Sequence, residues 1–161
     1  MPKAATPEMQ LASFIKKFTP EIAALAEAIL LKMRRRYPNA LEIVYDNYNA
    51  LAIGFCPSER TSEAIFSIAL YPKWVSLFFL QAKGLRDPSH LLNGSGNVAK
   101  HVVLPSADAL DSPALLDLMQ QATETAKVKL PTDGKHRIII KSVSEKQRPR
   151  RPPETKTRIK G

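Results

Sequence analysis

The sequence predicts an α+β domain: an antiparallel sheet of five to six strands, with N-terminal helices and a C-terminal helix packed on one of its faces. Three observations predict it. Helical periodicity fills the chain up to Pro38; four short runs rich in β-branched and aromatic residues follow between Leu41 and Leu80; and a helical pattern returns from Ser112, ahead of one last strand-like run. Connections of a few residues permit only antiparallel neighbours, since a parallel crossover needs a dozen or more, so the central runs read as a meander. Helices segregated at the ends of such a meander pack together on one sheet face.

The opening MPKAATPE reads as a leader, after which Leu11, Phe14, Ile15 and Phe18 fall on one face of a short amphipathic helix. In TPEIAALAEAILLKMRRRYP, Thr19 is the N-cap and Pro20 takes the first helical position. Glu21 complements the positive end of the helix, Arg34, Arg35 and Arg36 its negative end, and Pro38 closes it. Ile22, Leu25, Ala26, Ile29 and Met33 form its apolar stripe, with Leu30 beside them. The meander strands are LEIVYDN, ALAIGFC, EAIFSIALY and WVSLFFL, punctuated by YN, PSERTS and PK. A loop from Gln81 to Asn97 leads to a fifth strand near Val98 to Leu104. Ser112 and Pro113 then open a helix with Leu115, Leu116, Leu118, Met119 and Ala122 inward, and HRIIIKSV is the final strand. In the central strands apolar residues stand at both parities, Val75, Leu77 and Phe79 alternating with Trp74, Phe78 and Leu80. One side meets the helices. The other is predicted to meet a ligand, a second copy of the chain in a homodimer, or its own curled sheet.

A chain of 161 residues is long enough to bury a core without metal or disulfide staples. The lone Cys56 cannot form an internal disulfide and no secretory leader pattern is present, which predicts a reducing, cytoplasmic location. WVSLFFL is too short to span a bilayer, so no membrane anchor is expected. The net charge of +9 is unevenly placed: Lys146 to Gly161 holds seven bases and one acid, +6 of the total. With three prolines and Ile159 as its single aliphatic residue, this stretch lacks the apolar surface to offset its ordering entropy. The reading is one domain over residues 1–145 and a basic, disordered tail over 146–161.

Three ordered blocks, YDNYNALAIGF, IFSIALYPKWVSLFFLQ and LRDPSHLLNGSGNVAKHVVL, resemble the YdhG-like domain family, a family of unknown function; the likeness spans roughly Leu25 to Ala126. The resemblance implies a compact frataxin-like α+β fold, and some members of the family carry the label of intracellular iron chaperone. It supplies no catalytic residues.

The residues themselves favour binding over catalysis. Tyr45, Asp46, Tyr48, Ser67, Tyr71, Lys73 and Trp74 come from neighbouring meander strands and turns, and aromatic walls with a few polar fixings are what small-molecule pockets use. Asp46, a carboxylate on an apolar strand, needs a partner if it is buried. In LLNGSGNVAKHVVL, the loop Asn93, Gly94, Ser95, Gly96 followed by Lys100 and His101 is a candidate anion nest, although glycines that simply adopt positive φ in a tight turn are the commoner use of such a loop. Ser95 leads into a strand instead of a helix, unlike a hydrolase nucleophile. The three histidines are scattered, one cysteine cannot build a thiolate zinc site, and Glu21 and Glu27 lie six apart and off a common helix face; no metal or cofactor is expected. Arg148, Arg150 and Arg151 are candidates for weak, salt-sensitive phosphate contacts with nucleic acid. The expectation is a non-enzymatic binding domain for a small molecule or a protein partner, with an iron chaperone and a nucleic-acid accessory protein as alternatives.

Overall fold

A Thr-Pro-Glu grammar starts both N-terminal helices of the computed structural model, which describes residues 5–153. Helix α1 (Pro7–Ile15) is capped by Thr6, whose hydroxyl accepts from the Met9 amide at 3.1 Å, and α2 (Pro20–Arg36) by Thr19, which accepts from Ile22 at 3.3 Å. The first helix therefore begins inside the stretch read as a leader. Of the expected α2 stripe, Ile22, Ala26, Ile29, Leu30 and Met33 are buried while Leu25 is only partly covered. Two of the three closing arginines are internal ties. Arg34 grips the fully buried Glu42 with two hydrogen bonds (2.7 and 2.8 Å), Glu42 also meets His136, and Arg36 bonds Asp111 and the Leu110 carbonyl.

The sheet has six strands: β1 (Leu41–Asp46), β2 (Leu51–Cys56), β3 (Phe66–Leu70), β4 (Val75–Phe79), β5 (Lys100–Val103) and β6 (Arg137–Val143), in the order β5-β4-β3-β2-β1-β6. The α+β class and the meander agree with the sequence reading, but the sheet is mixed: β6 pairs parallel to β1. The physical reason is length. Leu104 to His136, which contains α3 (Pro113–Thr125), is long enough to carry the chain beneath the sheet to the far edge, where no hairpin constrains direction. Strand β5 is shorter than expected, and Val98 is exposed.

Register puts Val44, Ile53, Ile68, Leu77 and Val102 in one cross-strand row, and this face packs on all three helices in one core. Fully burying an aliphatic or phenyl side chain such as Ile29, Ile53, Phe66 or Phe79 contributes about 1.5–3 kcal/mol each. In α3, Leu115, Leu118, Met119 and Ala122 are buried, whereas Leu116 turns outward. The opposite face is closed by the chain at one end, where the segment around Ala64 packs on Ile43 and Cys56 with Tyr45 and Leu80 against them. Its other end stays open, floored by the small residues Ala52, Ser67 and Ala69. Among the described residues no helix is long and apolar enough to cross a membrane.

Candidate functional site

Meander geometry brings the two hairpin turns, residues 47–50 and 71–74, to the same end of the sheet, and β6, running parallel to β1, delivers the C-terminal arm there as well. The arm is not a free tail over its described part. The Ser144 amide donates to the Asp46 carbonyl (2.8 Å) and the Arg148 amide to the Tyr48 carbonyl (2.8 Å), so the backbone continues its pairing past the strand end. The bulge in β6 opposite Val44 and Tyr45 sits just before this crossing.

Asp46 anchors the crossing. It shares the parity of Glu42 and Val44, so its side chain points to the helix side and is 1 % exposed. Arg150, 4 % exposed, donates to its carboxylate at 2.8 Å and to the Asn47 carbonyl at 2.5 Å, and its guanidinium lies 5.6 Å from the centre of the Phe18 ring. Lys17 reaches the second carboxylate oxygen at 3.0 Å and also Gln147, whose amide donates to the Asp46 carbonyl. Burial by itself would raise the Asp46 carboxyl, but hydrogen bonds from Gln147, Lys17 and Arg150 outweigh it and hold the group below the ordinary carboxylate range. Arg151 closes the clasp by donating to the Lys17 and Lys16 carbonyls, at 3.2 and 3.4 Å, just beyond the end of α1. Arg150, read from sequence as a nucleic-acid contact, is thus an internal cation, because the buried carboxylate it neutralises is a stronger partner than solvent.

Two open cavities meet at this end. One, of about 580 Å³, lies over the small-residue floor between Tyr48, Tyr71 and Phe78, with Ser67 and Ser144 as polar fixings. The other, of about 760 Å³, lies between the β3–β4 turn, with Tyr71, Lys73 and Trp74, and the arm, with Arg148 and Arg151. They share Asn49 and Tyr71 in their walls and so adjoin, and together they make up the groove at this end of the sheet. Tyr71 and Trp74 stack at 4.8 Å with planes 18° apart, and Arg148 lies over the Tyr48 ring at 5.6 Å. Trp74 is still 42 % exposed and Tyr48 49 %. Among the described residues, no Asp or Glu lines either cavity, while Lys73, Arg148 and Arg151 do.

The structure divides the candidates named from sequence. Tyr48, Ser67, Tyr71, Lys73 and Trp74 share the groove, and Arg148 and Arg151, assigned to a separate function, line it too. Asp46 belongs to the other side of the sheet, and Tyr45 packs into the small cluster with Ile43 and Cys56. Lys100 borders a different depression with Asp87 and Asn97, so Asp46, Tyr48, Trp74 and Lys100 do not face one cavity. His101 pairs with Asn93 through reciprocal backbone bonds (2.8 and 2.9 Å) and packs on Phe78, which makes Gly94, Ser95 and Gly96 the tip of a closed loop. Gly94 has φ of 120° and Gly96 lies outside the left-handed region, so one glycine of the two is required by backbone conformation. Sequence reading missed the arm's share in the site; the signal available was the need of Asp46 for a cationic partner. No family model, no curated protein and no solved structure matches the chain.

Proposed function

We propose that this chain is a non-enzymatic binding domain whose ligand lies in the groove at the turn end of the sheet, between the two hairpin turns and the C-terminal arm. One observation carries the reading: the stacked Tyr71 and Trp74, Trp74 exposed, and three cations border two adjoining cavities with no acid on their described walls. Such walls suit a ligand with a flat ring and a negative charge, since the ring gains stacking area and the charge meets cations already held in place. Kinship with the YdhG-like family is proposed on the three sequence blocks alone. An iron-chaperone role finds less support: Asp46 is occupied by Arg150 and Lys17, and no three His, Cys, Asp or Glu side chains converge among the described residues.

The test is a thermal-shift panel of ring-bearing anions beside their neutral counterparts, run on the wild type and on Trp74→Ala. Anions are expected to raise the wild-type midpoint and to lose that effect in the variant. Equal shifts from the neutral compounds, or shifts indifferent to Trp74, would remove the groove from the explanation.

A further inference from the structure

We infer that the ligand of this groove is a single-stranded nucleic acid, held by stacking of a base at Trp74 and by phosphate contacts to Lys73, Arg148 and Arg151. The inference deepens the binding reading above and rests on it. Charge and shape select the class. The groove is made of two adjoining cavities, both open to solvent, which suits a segment of polymer better than an enclosed small molecule. Its cations stand on both rims, Lys73 on the β3–β4 turn and Arg148 and Arg151 on the arm, so a backbone threading between them meets positive charge on either side. On the Lys73 rim Tyr71 and Trp74 stack on each other, with Trp74 42 % exposed, and every base has a face to stack. A platform of aromatics inside a cationic channel is the sequence-tolerant way of holding an unpaired strand, whose bases are free to turn out of their own stack.

The arm's arginines divide their labour. Arg150 is committed to Asp46, which pins the arm, and that pinning places Arg148 and Arg151 on the groove wall. Arg151 spends donors on two carbonyls near the end of α1 and Arg148 lies over Tyr48, yet neither has an ion-pair partner among the described residues. The basic arm thus acts as one wall of a built channel, and the clasp at Asp46 is what makes it so.

Trp74 is the only tryptophan of the chain, so its emission reports directly on this site. The experiment titrates the full chain with a short labelled oligothymidylate, following anisotropy and tryptophan emission together, beside a duplex of equal length and a nucleoside monophosphate. The oligothymidylate is expected to quench Trp74 saturably and the duplex to leave it unchanged. Trp74→Ala is expected to weaken binding about 5- to 140-fold. Arg148→Gln with Arg151→Gln should lower the salt slope of log Kd by about 1.4. Lys73→Gln, on the rim that takes no part in the clasp, should weaken binding in the same direction with an unchanged melting midpoint, which separates lost contacts from a loosened arm. A duplex that binds as tightly as the single strand, or binding without quenching, overturns the proposal in favour of diffuse charge attraction. Quenching by the monophosphate but not by the oligothymidylate overturns it while leaving the binding reading in place. No response to either, together with a silent thermal-shift panel, removes both.

Discussion

Replacing Arg150 by Met removes a guanidinium that is 4 % exposed from a carboxylate that is 1 % exposed and from its place 5.6 Å over the Phe18 ring, while keeping an unbranched apolar side chain at the position. Breaking one side of a buried ion pair typically costs about 3–5 kcal/mol, because the remaining charge is stranded. Lys17 stays beside Asp46 at 3.0 Å, but it is 43 % exposed and so replaces only a little of the lost interaction. The lower end applies, about 3 kcal/mol, or a fall in Tm of roughly 6–12 °C for a domain of this size. Urea and thermal unfolding of Arg150→Met, Asp46→Asn and the double variant measure it. The double variant is expected to lose clearly less than the sum of the singles, since neither charge is then left alone. The acid limb gives a second reading. The Asp46 carboxyl is depressed in the fold, so its contribution is present above the ordinary value of 3.8 and disappears as pH falls below it. Arg150→Met should flatten that limb. A variant that unfolds within about 0.5 kcal/mol of wild type, the ordinary range for an unremarkable surface substitution, would refute the clasp and return the arm to the status of a loose tail.

Other outcomes follow from the same geometry. Glu42→Gln removes the buried charge and leaves Arg34 and His136, each about a third exposed, facing a neutral amide; the weakened charge-assisted hydrogen bonds should cost about 1.5–3 kcal/mol in urea unfolding. Burial, helped by the Glu63 charge, pushes the Cys56 thiol up to about 12, so iodoacetamide at mildly alkaline pH should label the protein only after denaturant is added. The neutral thiol favours the fold, so its contribution is complete below the ordinary value of 9.0 and is lost as pH rises toward about 12; Cys56→Ala should shallow that alkaline decline. Gly94→Ala is expected to cost about 1–2 kcal/mol because φ there is 120°, although the added methyl meets only ordinary contacts near 3.6 Å. Gly96→Ala, at a position without positive φ, should change the urea midpoint little.

The helices and the meander were legible because their causes are local. A Thr cap with Pro at the first position, a 3.6-residue stripe and turns too short for a crossover act within a few residues, whatever the rest of the chain does. The same grammar at Thr6 and Pro7 went unread beside the chain start, although it caps α1 as Thr19 caps α2. Tyr48, Tyr71 and Trp74 could be placed near one another from the hairpins alone, since two turns of one meander separated by a strand pair fall at the same end.

Direction of β6, side of Asp46 and fate of the arm were decided only in three dimensions. A 33-residue connection from Leu104 leaves the direction of the last strand open, and packing of α3 under the sheet settles it. The sequence groups Asp46 with the pocket candidates Tyr45 and Tyr48, whereas the register of β1 puts it on the helix side with Val44, where a carboxylate is stable because Arg150, 104 residues away, lies against it. Composition describes the arm as too poor in apolar residues to order itself, a reading whose residues 154–161 lie outside the described part. It had no access to the buried charge on another element that the arm's arginine neutralises, and an interaction between residues so far apart in sequence leaves no local pattern to read.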